Sequence, residues 1–197
     1  MRPRLALTLG DPRGIGPELV GALLAHPTLR EEAAWLVVGP EGAGVTPHDV
    51  VGEWRAGGDA ACAGALAGRA IERAVALARA GEVDGIVTAP IDKAALLAGG
   101  YDFPGHTEML GALTGTRPAM MLAATRPSAP GGNPLRVVLA TTHVALRDVP
   151  RLLTADAIVE SAAITREHLR RWFGIAEPRL ALCALNPHAG DGGRFGR

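Results

Sequence analysis

The stretch RLALTLGDPRGIGPELV, residues 4–20, passes from an apolar strand pattern through a glycine-rich turn into a helix pattern. Residues 5–9 are apolar apart from Thr8, as in a strand that is buried on both faces of a sheet. Pro17 suits the first turn of a helix, where no backbone N–H donor is needed. The stretch therefore predicts the strand–turn–helix unit of an α/β protein, with a polar turn at the carboxyl end of the strand.

Strand and helix patterns alternate along the rest of the chain. Strands are predicted at 35–40, 83–88, 119–122, 135–140 and 179–185, and helices at 60–80, 93–98, from about 108, and after Thr154. Thr154 is a suitable N-cap and Gly174 ends that last helix. The strands that flank the turn-rich segment 126–134 are expected to pair antiparallel, and 41–58 to be mostly loop. The alternation predicts a mostly parallel sheet with helices on both faces.

Composition limits the classes of protein to consider. The chain has 197 residues, of which 48% are hydrophobic, enough for one α/β domain or two small lobes. The 20 basic and 20 acidic residues balance, so we expect neither nucleic acid nor a membrane surface as partner. No apolar run approaches the roughly 20 residues of a membrane helix. Cys62 and Cys183 have no metal or redox spacing and are interpreted as small buried residues of a cytoplasmic protein.

Four predicted strands end in polar turns marked by glycine or proline. These turns are Gly10-Asp11-Pro12, Thr88-Ala89-Pro90, Thr141-Thr142-His143 and Asn186-Pro187-His188. In open α/β sheets the ligand binds beyond the carboxyl ends of the strands. The polar side chains of these turns are therefore candidates for the functional site.

His143 and His188 each follow a predicted buried strand directly. If the two strands are neighbours, both imidazoles can bind one metal ion, although a third ligand must then come from elsewhere. The alternative is that each histidine caps the sheet through a hydrogen bond.

His106 and Thr107 precede a helix pattern. Thr107 can cap that helix, and the free N–H groups with the positive end of the helix dipole would make an anion site in which His106 binds phosphate. A plain N-cap with an exposed histidine is the alternative. Lys93, the chain's single lysine, could pair with a phosphate or a carboxylate, or simply begin a solvated helix. The turn at 10–18 matches neither dinucleotide-binding nor P-loop patterns; its glycines allow close approach to a ligand or only a tight turn.

Five runs together resemble the 4-hydroxythreonine-4-phosphate dehydrogenase family of pyridoxal 5′-phosphate (vitamin B6) biosynthesis. They are GDPRGIGPE (10–18), VTAPIDK (87–93), PGHTEML (104–110), TTHVALRDVP (141–150) and LNPHAGDGGRFG (185–196). The runs occur in the family's order and extend over nearly the whole chain.

The resemblance implies an α/β fold similar to isocitrate and isopropylmalate dehydrogenases, with two lobes and a homodimer that shares its active site. We assign 1–117 to the first α/β lobe and 118–197 to part of the second. His106 and Thr107 match the family's substrate-binding pair. His143 and His188 match two of its three histidine ligands for a divalent zinc, magnesium or cobalt ion.

The reaction implied by the resemblance is NAD- or NADP-dependent oxidation of 4-phosphooxy-L-threonine. Its product, 2-amino-3-oxo-4-phosphooxybutanoate, loses CO₂ to give 3-amino-2-oxopropyl phosphate. Relatives that oxidise a phosphorylated four-carbon sugar acid or a terephthalate cis-dihydrodiol are alternatives, and so is an inactive truncated remnant.

The chain departs from the family pattern in length and at single positions. Arg13 stands where the family usually has a small residue, and Asp92 where it usually has asparagine. Family members are usually much longer, so we expect a C-terminally truncated chain that lacks the third metal histidine and part of the phosphate pocket. Such a chain would bind metal weakly and turn over little or no substrate.

Overall fold

The computed structural model describes residues 2–127, 130 and 132–194. The chain divides into two compact units, Met1–Pro118 and Ala119–Arg197. The assignment of 118–197 as part of a second lobe stays a prediction. The first unit contains β1 (Arg4–Thr8), α1 (Gly16–Ala25), α2 (Leu29–Glu32), β2 (Ala34–Glu41), β3 (Asp49–Glu53), α3 (Ala60–Arg79), β4 (Gly85–Thr88), α4 (Lys93–Ala98) and α5 (His106–Thr114).

The first unit is built on a parallel sheet with the strand order β3-β2-β1-β4. Alternate residues of β1 point to opposite faces of the sheet. Leu7 packs on one face with Val20 of α1, and Ala6 packs on the other with Ala70 of α3. The predicted α/β fold, with helices on both faces of a parallel sheet, is confirmed.

Helix α3 begins at an aspartate cap and packs closely on α4. The Asp59 carboxylate accepts a hydrogen bond of 2.8 Å from the amide of Cys62, which satisfies a free donor at the helix start. Further along, a Cβ atom on Gly64 would overlap the carbonyl of Ala95. The two helices therefore touch backbone to backbone, and only glycine fits at this crossing.

The second unit contains β5 (Met121–Ala123), β6 (Arg136–Val138), α6 (Val149–Leu152), α7 (Ala155–Arg171) and short 3₁₀ turns at Leu146–Asp148 and Asp191–Gly193. Strands β5 and β6 pair antiparallel, with Leu122 opposite Val137, as predicted. The hydroxyl of Thr154 accepts a hydrogen bond from the amide of Ala157 at 3.2 Å. This contact confirms Thr154 as the N-cap of α7.

Two expectations about secondary structure were wrong. Residues 49–53, within the predicted loop, form β3, which the neighbouring strand β2 recruits by main-chain pairing. Residues 179–185 form no strand, and Leu182 is 74% exposed. An apolar run becomes a strand only when a partner strand takes its hydrogen bonds, and the part of the chain that the structure describes pairs no strand with this run.

The expected burial of the two cysteines is also wrong, because Cys62 and Cys183 are both exposed. Cys62 lies in the first turn of α3, at a position that faces away from the sheet. Among the described residues, no helix is both long enough and apolar enough to cross a bilayer.

The glycine crossing of α3 and α4 predicts a contrast between two helical glycines. Gly64→Ala should lower the free energy of unfolding by about 1–3 kcal/mol, because the added methyl group forces the two helices apart. In Gly21→Ala of α1 the nearest atom to the new Cβ would lie 3.6 Å away, on Val45. That variant should be neutral or up to about 1 kcal/mol more stable. Urea unfolding of both variants measures the contrast, and equal effects would contradict it.

Candidate functional site

The turns that follow β1 and β4 meet at the carboxyl edge of the sheet. The amide of Asp11 donates a hydrogen bond of 3.0 Å to the carbonyl of Pro90. Gly10 has a φ of 68°, and a Cβ atom there would collide with that same carbonyl. Two of the four strand-end turns that were named as candidates therefore lie together, and glycine is required for their close approach.

A buried carboxylate and an arginine organise this edge. The side chain of Asp11 is only 5% exposed. It accepts hydrogen bonds from the amide of Arg13 at 2.8 Å and from the Arg13 guanidinium at 3.1 and 2.7 Å. A buried carboxylate must be paired to be stable, and Arg13 supplies both the charge and the donors.

Arg13 also reaches the start of α4. Its Nη2 lies 3.2 Å from Oδ2 of Asp92. Oδ1 of Asp92 accepts from the amides of Ala94 and Ala95, at 2.8 and 3.2 Å, and so caps α4. The hydrogen bonds from these amides, aided by the charge of Arg13, lower the pKa of the Asp92 carboxyl. The sequence patterns did not predict a contact among Asp11, Arg13 and Asp92. The available signal was that all three charged residues follow the ends of two predicted strands.

Lys93 is the first residue of α4, and its side chain lies close to the start of the following helix, α5. A Cβ atom on Gly105 would be 3.7 Å from Cε of Lys93 and 4.0 Å from its Nζ. Gly105 is the N-cap residue of α5. The ammonium group of Lys93 is therefore close to the positive end of the α5 dipole.

His106 lies beside Lys93 as the first residue of α5. Its Nε2 atom is buried and has no hydrogen-bond partner among the described residues. Burial, with the charge of Lys93 as a smaller cause, lowers the pKa of the imidazole. A buried polar atom without a partner is costly, so Nε2 is suited to a ligand. The alternative of an exposed histidine is wrong.

The expected role of Thr107 as the N-cap is also wrong. Helix α5 begins at His106, and Gly105 occupies the cap position without a side-chain hydrogen bond. Thr107 lies inside the first turn, where its amide is one of the donors that no carbonyl of the helix can satisfy. We call Lys93, Gly105, His106 and Thr107 the α5 cradle.

The two candidate metal ligands lie in the second unit. His143 is exposed, follows the end of β6 by several residues and has a left-handed φ of 54°. His188 lies in a turn in which its amide donates to Oδ1 of Asn186 at 3.0 Å. The expectation that a buried strand directly precedes each histidine is wrong, because β6 ends at Val138 and residues 179–185 form no strand. The described residues contain no group of three histidine, cysteine or acidic side chains that could hold a metal, so the metal assignment stays a prediction.

Two histidines that received no role in the sequence analysis have structural ones. Nδ1 of His48 accepts a hydrogen bond from the amide of Val37 at 3.0 Å, which extends the pairing between β2 and the segment before β3. Nδ1 of His26 accepts from the amides of Thr28 and Leu29 at the start of α2. Both rings therefore satisfy backbone donors.

The parallel sheet with helices on both faces defines the class of α/β proteins, and the α5 cradle at the edge of its first unit is suited to a small anion. The family is more specific. Residues 28–197 match the family described as pyridoxal phosphate biosynthetic protein PdxA, and the chain belongs to this family. A relative from Geobacter metallireducens, called 4-hydroxythreonine-4-phosphate dehydrogenase, is 39% identical over 228 aligned residues. Another from Cupriavidus necator, called D-threonate 4-phosphate dehydrogenase, is 38% identical over 230.

The chain spans 65% of the length of each of these two relatives. The alignment covers 99% of this chain for the Geobacter protein and 98% for the Cupriavidus protein. The crystal structure of 4-hydroxythreonine-4-phosphate dehydrogenase from Klebsiella pneumoniae aligns with a TM-score of 0.83 at 35% identity, covering 99% of this chain and 67% of its own. The crystal structure of a terephthalate 1,2-cis-dihydrodiol dehydrogenase from Burkholderia xenovorans aligns with a TM-score of 0.64 at 27% identity. This alignment covers 100% of this chain and 66% of the other one.

The environment of His106 predicts its titration. The imidazole should titrate below its ordinary pKa of about 6.5, and Lys93→Gln should raise the midpoint, because it removes a nearby positive charge. The rise should be partial, because burial, the larger cause, remains. Since the folded-state pKa is the lower one, the stability contributed by neutral His106 is complete above the unfolded pKa and is lost as pH falls through the folded pKa. Histidine NMR of both chains measures the midpoints; an unchanged midpoint in Lys93→Gln would contradict the assigned contact.

Proposed function

We propose that this chain carries the phosphate-binding edge of a dehydrogenase that oxidises 4-phosphooxy-L-threonine with NAD or NADP in pyridoxal 5′-phosphate biosynthesis. The names of its relatives indicate the reaction class. The single observation that carries the proposal is the α5 cradle, in which Lys93 lies beside Gly105 at the helix N-terminus and the buried Nε2 of His106 has no hydrogen-bond partner among the described residues. A phosphate in that place would satisfy the free donors of the helix and the charge of Lys93 together.

The lowered pKa of His106 suits this role, because it favours the neutral imidazole in the empty site. A neutral imidazole can donate one hydrogen bond to a phosphate oxygen, and it adds no positive charge to that of Lys93 in the empty site. A bound dianion would favour the imidazolium, which donates from both nitrogens. The cradle therefore gains charge when the ligand brings the opposite charge.

The proposed oxidation converts the substrate's hydroxyl-bearing carbon into a ketone. That carbon gives up a hydride to C4 of the nicotinamide, and the hydroxyl gives up a proton. The product, 2-amino-3-oxo-4-phosphooxybutanoate, is a β-keto acid that loses CO₂ to give 3-amino-2-oxopropyl phosphate. The α5 cradle would hold the phosphate while the oxidation takes place at the adjacent carbon, which bears the hydroxyl.

A divalent zinc, magnesium or cobalt ion is part of the proposal, with His143 and His188 as two ligands. Imidazole nitrogen suits zinc and cobalt better than magnesium, which prefers oxygen. When bound, such an ion supplies Lewis acidity at the substrate hydroxyl. Two imidazoles do not close a site, and the described residues offer no third ligand grouped with them. The chain by itself should therefore bind metal weakly.

A cytoplasmic homodimer with a shared active site completes the proposal, as the family resemblance implies. Two other substrates remain as alternatives, namely D-threonate 4-phosphate and a terephthalate cis-dihydrodiol. Relatives or solved structures with these names align with the chain. The α5 cradle favours either phosphorylated substrate over the dihydrodiol, which has no phosphate.

Ligand binding tests the phosphate assignment. Calorimetric titration of the chain should show binding of inorganic phosphate and of both phosphorylated substrates, and none of the dihydrodiol. His106→Asn should weaken binding of the phosphorylated ligands about tenfold, the effect of losing one hydrogen bond to a charged group. His168→Asn, on the exposed side of α7, is the matched control. Unchanged affinity in His106→Asn would refute the role of the cradle, and tighter binding of D-threonate 4-phosphate would assign that substrate instead.

Metal content tests the two histidine ligands. His143→Ala and His188→Ala should each lower the affinity of the chain for zinc or cobalt by about tenfold or more, and His168→Ala should not change it. Metal analysis after equilibrium dialysis gives the comparison. Unchanged content in both ligand variants would remove the proposed site. Ready reduction of NAD by the metal-loaded chain would contradict the expected low turnover.

A further inference from the structure

Arg13 lies between two carboxylates that come from different strand ends. It contacts Asp11 after β1, at 2.7 and 3.1 Å, and Asp92 after β4, at 3.2 Å. Its side chain is 32% exposed, whereas that of Asp11 is 5% exposed. The structure thus brings a residue of the turn after β1 into contact with a residue of the turn after β4.

The charge balance argues against Arg13 as an anion-binding residue. The two carboxylates outweigh its single positive charge, so an incoming phosphate would meet net negative charge at this point. Nε and Nη2 of Arg13 are already engaged by the carboxylates. The cation available to a ligand nearby is Lys93, which follows Asp92 directly in the sequence.

We propose that Arg13 is a positioning residue for the α5 cradle: it clasps Asp11 to Asp92 and so fixes the start of α4, which keeps Lys93 against Gly105 and His106. The proposal deepens the proposed function and rests on it. Arg13 would not touch the ligand. Its effect on phosphate binding would arise only from the position that it gives to Lys93.

We call the contacts of Arg13 with Asp11 and Asp92 the clasp. The two carboxylate oxygens of Asp92 make separate contacts, so the clasp can be removed while the cap of α4 is retained. Oδ1 caps α4 and Oδ2 takes Arg13. Asparagine at this position would keep a cap oxygen but place its NH₂ group toward the guanidinium, where two donors oppose each other. Asp92→Asn therefore removes the clasp and retains the cap.

Substitutions at position 13 can distinguish the paired hydrogen-bond donors of the guanidinium from its positive charge. Arginine binds two carboxylates through donors fixed in one plane, whereas lysine offers a single point charge. Arg13→Lys therefore keeps the charge and loses the clasp. Arg13→Ala loses both.

The experiment measures the NMR titration midpoint of His106 in the full chain and its titration with inorganic phosphate. Arg13→Ala, Arg13→Lys and Asp92→Asn should each raise the midpoint by about 0.3 of a pH unit, because Lys93 spends less time beside His106. Each should also weaken phosphate binding by about threefold. Arg55→Ala, which breaks an exposed ion pair with Glu53 elsewhere in the same unit, should change neither.

The route through Lys93 is tested by combining substitutions. In a Lys93→Gln background, Arg13→Lys should no longer move the midpoint, because the charge that it positions is gone. A full shift in that background, or a wild-type midpoint in Arg13→Lys, would overturn the proposal. A wild-type chain that binds no phosphate would instead refute the proposed function, while the coupling between Arg13 and the His106 midpoint would still be measured.

Discussion

The candidate site depends on the close backbone approach between the turns that follow β1 and β4. Gly10 and Gly16 lie where any side chain would overlap a neighbouring carbonyl, that of Pro90 for Gly10 and that of Leu9 for Gly16. Because the turns can approach this closely, the amide of Asp11 reaches the carbonyl of Pro90. The contact between Arg13 and Asp92, which joins the two turns, depends on that approach.

Opposite charges are paired at this edge of the sheet. The buried carboxylate of Asp11 would be costly by itself, and Arg13 offsets that cost with a bidentate contact. The pairing leaves Lys93 as the cation beside α5. Burial is the main cause of the lowered pKa of His106, and the charge of Lys93 is the smaller one. An edge that combines paired charges, one available ammonium group and a helix N-terminus is suited to a small anion.

The second unit contrasts with the first in packing. Of the described residues after 118, only Thr165 and Leu169 are buried. Local signals nevertheless gave correct predictions there, including the antiparallel pairing of β5 with β6 and the Thr154 cap of α7. The strand predicted at 179–185 failed because apolar sequence does not by itself supply a hydrogen-bonding partner. The argument from matched strand ends for His188 fails with it, and the metal assignment rests on the family resemblance.

The sequence by itself determined what local chemistry controls. The alternation of strand and helix patterns, the threonine cap of α7 and the glycine turn at 10–16 act within a few residues, so their patterns predicted the parallel α/β class and most element positions. Only the tertiary structure decided the burial of His106, the start of α5 at that residue, the strand β3 and the clasp of Arg13 on Asp92. Each of these depends on atoms far apart in sequence, such as Arg13 and Asp92, which are brought together only when β1 and β4 pair in the sheet. Spacing along the chain carries no signal of that contact.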